Sequence, residues 1–141
     1  MPSIQEIQSE IIEDFSFLPQ WDERYAYLIE LGQKMGPLPE AYRNEENIVR
    51  GCQSTVWLHR ECRDGKVYLQ SDSDSLIVKG LAALLMLVFS GQPAEEVVRA
   101  DLAFFDETGL NKHLSSQRAN GLMAMIEQIK RFAIKCAAGE A

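Results

Sequence analysis

The feature that most constrains the fold is a hairpin signal near the middle of the chain. Asp64-Gly65 separates two segments of strand-like composition, residues 55–61 and 66–71. Asp-Gly favours a tight turn, because both central positions of a type I′ turn need positive φ. We therefore predict two antiparallel strands here, with a weaker third strand at residues 47–50.

Helical patterns surround this hairpin on both sides. Ser3 and Glu6 have the spacing of a capping box, which predicts a first helix, and a second helix is predicted over residues 22–34. A turn at residues 71–75 should cap a helix over 76–89, and a short helix should start at Pro93. Ser115 or Ser116 should cap a long C-terminal helix, whose apolar residues recur at helical spacing: Leu122, Met125, Ile126, Ile129, Phe132, Ala133 and Cys136.

These elements predict an α+β fold, with a small antiparallel β-sheet and helices packed on one face. The 141 residues suit a single domain over residues 1–141 with one core. The sequence shows no repeat, no low-complexity tract and no linker that would separate two domains.

The charge balance narrows the classes of partner. The chain has 14 basic and 21 acidic residues, a net charge of −7. Nucleic acids and anionic membranes both need a basic surface, so we expect neither as a partner. The start of the chain lacks the pattern of a secretory signal, and the apolar run 81–89 is too short to span a bilayer. We expect a cytoplasmic protein.

The three cysteines, Cys52, Cys62 and Cys136, are an odd and sparse set without CxxC spacing. This predicts free thiols in a reducing compartment rather than a disulfide frame. Cys136 lies on the apolar stripe of the last helix, where it acts as a small hydrophobic residue. Cys62 ends the first strand and receives no role.

Cys52 differs, because it lies in the segment Arg50-Gly51-Cys52-Gln53-Ser54, just ahead of the strand. Gly51 lets the backbone bend, and the residues that follow are too polar for a core. A loop thiol near positive charge, for which Arg50 is a candidate, can form the reactive thiolate. These residues alone leave open whether the thiol is functional or an ordinary loop cysteine.

Two further chemistries can be drawn from the same residues. A thiol hydrolase would need a histidine base, and the chain offers His59 and His113. Neither spacing is diagnostic, and His113 is the base that this alternative would use. A zinc site could be drawn from Cys52, His59, Cys62 and His113, but the spacing matches no standard ligand pattern. His59 and Cys62 should also point to opposite faces of the strand, so we expect no metal.

Arg118 and Asp74 are charged residues with two interpretations each. Arg118 lies in the first turn of the last helix, where a cation is mildly unfavourable. It is either a solvated arginine or a group that holds a carboxylate, such as that of Asp74 or of a partner. Asp74 could instead cap the helix that follows it.

Six short motifs follow one another along most of the chain. Three of them are G-C-Q-S-x-V-W-L from Gly51, S-D-S from Ser73 and I-V-K-G-L from Ile77. The other three are W-D-E-R-Y-x-Y-L-I-E-L-G from Trp21, L-P-E from Leu38 and H-L-S-x-x-R-x-x-G-L from His113. In this order they resemble the SufE family of sulfur-acceptor proteins.

The resemblance implies a fold shared with IscU-type cluster scaffolds, and a function for Cys52. SufE-like proteins accept persulfide sulfur from a pyridoxal-phosphate cysteine desulfurase (SufS-like or CsdA-like), stimulate it, and deliver sulfur to an iron–sulfur scaffold complex (SufBCD-like). Cys52 would be the acceptor, without any cofactor of its own. Gly51, Gln53, Asp74, Arg118 and His113 would support the loop or bind the partner.

The alternative is an IscU-type scaffold or metal-binding module that uses Cys52 and Cys62. A scaffold needs several thiolates around one cluster, and only Cys52 lies in a suitable loop. The acceptor interpretation is therefore preferred. The sequence does not fix the oligomeric state, and a homodimer is one assembly that we consider.

Overall fold

The computed structural model describes residues 2–141, which form seven α-helices and one three-stranded antiparallel sheet of order β1-β2-β3. The helices are α1 (Ile4–Ser16), α2 (Trp21–Met35), α3 (Leu76–Phe89), α4 (Ala94–Arg99), α5 (Phe104–Glu107), α6 (Leu110–His113) and α7 (Ser116–Ala137). The strands are β1 (Val56–Arg63), β2 (Lys66–Ser73) and β3 (Gln92–Pro93), and two 3₁₀ turns occupy Glu40–Tyr42 and Glu45–Asn47.

The predicted hairpin is confirmed. β1 pairs with β2 from Val56 opposite Ser73 to Arg63 opposite Lys66. Asp64 and Gly65 both have positive φ, 52° and 75°, as a type I′ turn requires. β2 runs to Ser73 and so includes part of the segment that we predicted to be a turn.

The prediction of a third strand at residues 47–50 is wrong. That segment makes only an isolated bridge between Ile48 and Trp57. The side chain of Asn44 accepts a hydrogen bond from the Asn47 amide at 3.1 Å, and this closes a 3₁₀ turn that keeps the chain from running along β1. The third strand is instead Gln92–Pro93, which pairs with the start of β2.

The helix starts predicted near Ser3, Ser75 and Ser115 agree with the structure, whereas Pro93 ends β3 and precedes α4 instead of forming its first turn. Ser3 and Glu6 form the reciprocal capping box of α1, with bonds of 3.0 and 3.1 Å. Ser75 caps α3 and Ser115 caps α7, each accepting a hydrogen bond from the amide three residues later. The N-cap of α3 is therefore not Asp74, which leaves the Asp74 carboxylate free for another contact.

α3 is the central helix and is buried on nearly all sides. It packs between α2 and β2, and the α2 backbone approaches it closely at Gly80. A Cβ atom at Gly80 would lie 2.2 Å from the carbonyl oxygen of Leu28, so no other residue fits there. This close approach joins the N-terminal helices to the sheet.

α7 packs on the same face of the sheet as α3, which confirms the α+β architecture with helices on one face. The inner face of β1 carries Val56 and Leu58, both fully buried. Farther along that face Arg60 donates to Gln128 of α7 at 3.3 Å. Within residues 2–141, no helix combines the length and the apolar character that crossing a bilayer requires.

Candidate functional site

The loop that carries Cys52 lies between the Ile48–Trp57 bridge and the start of β1. Gly51 has φ +94°, a conformation that L-residues with side chains rarely adopt. A Cβ atom there would also lie 3.4 Å from the Cβ of Ala124 on α7. The positive φ lets the loop bend, as expected of Gly51, and the missing side chain lets the loop lie close to α7, which the sequence did not predict.

Cys52 is half-buried, and its thiol faces the first half of α7. Sγ donates a long hydrogen bond of 3.5 Å to the carbonyl oxygen of Gly121. A Cβ atom at Gly121 would lie 3.2 Å from Sγ, so the glycine makes room for the sulfur. We call this position of the thiol against Gly121 its seat. Burial raises the pKa of the Cys52 thiol above its ordinary value, which favours the neutral form in this position.

Gly121 is a residue whose role sequence reasoning missed. It belongs to the matched segment that starts at His113, but glycine inside a long helix has no role that spacing could reveal. Glycine costs about 1 kcal/mol relative to alanine in a helix interior. A glycine at this cost inside a predicted helix indicates that another part of the chain packs closely there, and this was the signal in the sequence that could have identified Gly121.

Asp74 fixes the end of the Cys52 loop. Its Oδ1 accepts from the Thr55 amide at 3.1 Å, while its own amide donates to the Thr55 carbonyl at 3.3 Å. The Ser73 hydroxyl also donates to that carbonyl, at 2.9 Å. Asp74 is therefore brought to the predicted loop, as a support of its backbone rather than as a partner of Arg118.

Arg118 lies one helical turn before Gly121, about 4.5 Å away along the axis of α7. Its backbone amide donates to the Ser115 cap, and its side chain is exposed. Among residues 2–141, no ion pair joins Arg118 to Asp74 or to another carboxylate of the chain. The Arg118 side chain therefore faces solvent from the turn of α7 that precedes Gly121, the residue that the thiol contacts.

His113 and Gln53 make no contact with the thiol, within the described chain, that would define a role. The His113 ring stacks on Trp21, with centroids 3.8 Å apart, and its carbonyl accepts from the Tyr25 hydroxyl at 2.8 Å. This stacking gives the ring a packing role between α2 and α6. Gln53 is exposed at the tip of the loop beside Cys52.

The prediction that all three cysteines are free thiols is wrong. Cys62 and Cys136 form a disulfide, with Cα atoms 5.7 Å apart. Cys136 is buried on α7, as predicted, but its sulfur is bonded to Cys62 of β1 instead of only packing as a small hydrophobic group. The two residues are 74 positions apart, so only the packing of α7 on β1 brings them together. Cys52 is the unpaired cysteine of the described chain.

The disulfide also bears on the alternative in which Cys52 and Cys62 bind a metal or a cluster. A cysteine ligand must be a free thiolate, and here the sulfur of Cys62 is bonded to Cys136. Cys62 lies on the inner face of β1 with Arg60, on the opposite side of the strand from His59. The structure therefore offers one available thiol at the loop rather than a set of ligands.

A buried carboxylate that the sequence did not single out positions the segment before the loop. Asp72, 2% exposed, forms ion pairs with Arg43 and with Lys79, the latter at 3.2 Å. It also accepts from the Leu38 amide at 3.4 Å, and Arg43 lies over the Trp57 ring at 4.9 Å. Asp72 thus holds the 36–49 segment against the sheet.

Several influences act on the ionisation of Asp72. Burial opposes the charged form, but hydrogen bonds from the backbone amides of Ser73 and Leu38 and the charge of Lys79 outweigh it. The net result is a pKa below the ordinary value for an aspartate. Asp72 therefore stays ionised near neutral pH and keeps both cations in place.

The family model described as SufE, an Fe-S metabolism associated domain, matches residues 9–133. The chain belongs to the SufE family. The matched range includes the Cys52 loop, Asp74 and the Gly121 seat, so all the residues around the thiol lie inside the SufE domain.

Individual SufE relatives agree with this. An uncharacterized SufE-like protein of Rhizobium meliloti (strain 1021) is 48% identical over 126 residues, covering 86% of this chain and 90% of that protein. An uncharacterized SufE-like protein of Rhizobium etli is 42% identical over 129 residues, covering 88% and 87%. The solution structure of a hypothetical protein from Thermus thermophilus superposes with a TM-score of 0.77 at 26% identity, over 94% of this chain and 96% of that one.

Proposed function

We propose that this SufE-family protein is a sulfur acceptor that takes persulfide sulfur from a cysteine desulfurase onto Cys52. The observation that carries the proposal is the state of this thiol: it is unpaired, half-buried at the tip of a loop, and seated on Gly121. The family's association with Fe-S metabolism supports the same role. The other two cysteines are engaged with each other.

The transfer is a sulfur exchange without net oxidation or reduction. The Cys52 thiolate attacks the outer sulfur of the donor's persulfide, and its electron pair forms the new S–S bond. The donor's own S–S bond breaks, and that electron pair stays on the donor cysteine as a thiolate. Cys52 then carries one extra sulfur atom, and the proton that it lost goes to solvent or to the departing thiolate.

The resting position of the thiol suits a carrier that protects its cargo. Burial raises the pKa of the Cys52 thiol, so the seat on Gly121 favours the unreactive neutral form. Attack on a partner's persulfide requires the loop to leave this seat and the thiol to ionise. Gly51 supplies the backbone freedom for that movement, and Asp74 fixes the end about which the loop moves.

Delivery completes the proposed cycle. A thiol of an iron–sulfur scaffold complex would attack the outer sulfur of the Cys52 persulfide by the same exchange, returning Cys52 to a thiolate. The desulfurase supplies the pyridoxal phosphate, and the acceptor stimulates it by removing the product sulfur from its cysteine. We place this cycle in the cytoplasm, where disulfides are uncommon, and none of its steps requires Cys62 and Cys136 to be oxidised.

The test is to load the protein with sulfur and to map it. The chain is incubated with a cysteine desulfurase and free cysteine, and its peptides are examined by mass spectrometry without reductant. We expect one additional sulfur atom on Cys52, and none in Cys52→Ser. The Cys62→Ser/Cys136→Ser double variant is the matched control, and we expect it to load normally. Absence of sulfur from Cys52 in the wild-type chain would show that the proposal is wrong.

A further inference from the structure

A polar groove of about 800 Å³ runs along the outer edge of β1. One wall is the segment of 3₁₀ turns at residues 40–47, and the other is the C-terminal half of α7. We call it the β1–α7 groove, lined by residues that include Tyr42, Asn47, His59, Arg60, Arg131 and Lys135. None of these residues has a task in the sulfur exchange described above.

The β1–α7 groove collects positive charge on a chain whose net charge is −7. Arg60, Arg131 and Lys135 line it, against one side-chain carboxylate, that of Glu46. Arg131 also forms an exposed ion pair with Glu127, of a kind that contributes little and exchanges readily. The local excess of cations is therefore available to an anionic group that enters from solvent.

Arg60 is the most informative of the three cations. Its side chain is half-buried, and burial lowers the pKa of its guanidinium. Its side-chain partner in the described structure is a neutral amide oxygen, Oε1 of Gln128, at 3.3 Å. A partly buried charge without a counter-charge is costly, and an incoming carboxylate would supply one.

Two neighbouring groups also lack hydrogen-bond partners. Nε2 of His59 is buried without one in residues 2–141, although Oε2 of Glu61 lies 3.7 Å away, and the ring stacks on Tyr42 with centroids 3.6 Å apart. β1 is the edge strand of the sheet, and in the described chain its outer edge is bridged only near its start, at Trp57. An extended peptide can use such a free edge for main-chain hydrogen bonds.

The groove is continuous with the seat of Cys52. Gly121, Ala124, Gln128, Arg131 and Lys135 follow one another at spacings of three and four on α7, so they share one helical face. Gly121 and Ala124 contact the loop, whereas the last three line the groove. The face is about 21 Å long, roughly the length of six residues of extended chain.

From this geometry we infer that the β1–α7 groove binds an acidic, extended segment of the protein partner that exchanges sulfur with Cys52. The acidic side chains meet Arg60, Arg131 and Lys135, and the backbone of the segment lies along the edge of β1. The inference rests on the proposed function for the identity of the partner. The chain's own negative charge disfavours the alternative anion, a nucleic acid, because a long polyanion would be repelled outside the groove.

The test uses a fluorescein-labelled peptide of alternating Glu and Thr, with the Gln-for-Glu peptide as its neutral counterpart. Binding is measured by fluorescence anisotropy at low ionic strength. The groove variant is Arg131→Gln/Lys135→Gln, and the matched control is Arg99→Gln/Lys112→Gln. The control removes the same two charges from exposed positions, and Arg99 pairs with Glu96 much as Arg131 pairs with Glu127.

We expect the wild-type chain and the control variant to bind the acidic peptide with the same affinity. The groove variant should bind it about tenfold more weakly. Added salt should weaken the binding. Equal losses in both variants, no preference over the Gln peptide, or tighter binding of a single-stranded oligonucleotide would overturn the inference. Cys52→Ser should bind the peptide normally. The peptide experiment therefore tests the groove, and the sulfur-loading experiment tests the acceptor role, so either proposal can be refuted without the other.

Discussion

Replacing Gly121 by alanine should affect the reactivity of the Cys52 thiol much more than the stability of the fold. The new methyl group would lie 3.2 Å from Sγ of Cys52 and 3.7 Å from its Cβ. The contact with Sγ is closer than ordinary packing allows, so either the helix or the loop must shift by a few tenths of an ångström. The loop is the softer of the two, because its residues Arg50, Gly51 and Gln53 are exposed.

The expected magnitudes follow from two opposing effects. Alanine in a helix interior stabilises by about 1 kcal/mol relative to glycine. Against this, the Cys52 thiol loses its hydrogen bond to the Gly121 carbonyl, worth ~0.5–0.7 kcal/mol for so weak a donor. The net free energy of unfolding should therefore change by less than about 0.5 kcal/mol, and it should rise rather than fall.

Reactivity should change much more clearly. A thiol released from its seat has a pKa closer to the ordinary value, so a larger fraction is thiolate at neutral pH. Losing the ~0.7 kcal/mol with which the hydrogen bond to Gly121 holds the thiol in its seat should make alkylation of Cys52 roughly threefold faster, because about 1.4 kcal/mol corresponds to a tenfold change. The thiol pKa is raised in the folded wild-type chain, so the stability from the seat is lost as pH rises through it. Gly121→Ala should show less of this loss.

The assay is the rate of iodoacetamide modification, followed by intact mass, beside chemical denaturation of the same samples. Asn120→Ala is the matched control, because it improves helix propensity at the exposed neighbouring position without approaching Cys52. It should stabilise α7 and leave alkylation unchanged. Two results would refute the reasoning that the loop shifts while the helix keeps its position. One is an unchanged alkylation rate in Gly121→Ala, and the other is a loss of more than about 2 kcal/mol in its free energy of unfolding.

Two further predictions concern the supports of the site. Reduction of Cys62–Cys136 opens a loop of 74 residues, so it should lower the free energy of unfolding by about 4 kcal/mol and Tm by roughly 15 °C. A thermal melt with and without a phosphine reductant measures this change, and Cys62→Ser/Cys136→Ser should not respond to the reductant. Asp72→Asn leaves Arg43 and Lys79 without their buried counter-charge and should cost about 3–5 kcal/mol. Because the pKa of Asp72 is lowered in the folded chain, the stability that its carboxylate contributes is lost as pH falls through that pKa. Chemical denaturation at several acidic pH values should show this loss of stability in the wild-type chain and not in Asp72→Asn. If the stability of both proteins fell in parallel with pH, Asp72 would not be the group responsible.

Local sequence patterns predicted the elements that depend on neighbouring residues. The Asp64-Gly65 turn, the Ser3 capping box and the position of Cys52 just ahead of β1 all involve residues a few positions apart. The failed strand at residues 47–50 shows the limit of such patterns. There the Asn44 side chain closed a turn that composition did not reveal.

The sequence by itself determined that this chain folds as an α+β domain with a glycine-containing loop around Cys52, because turn chemistry, caps and helical periodicity are local properties. Only the tertiary structure decided which residues meet that loop. Gly121 as the seat of the thiol, Asp72 as the buried counter-charge and Cys62 as the partner of Cys136 each depend on segments far apart in sequence. Their pairing follows from how α7 and the 36–49 segment pack on β1, and no local pattern encodes that packing.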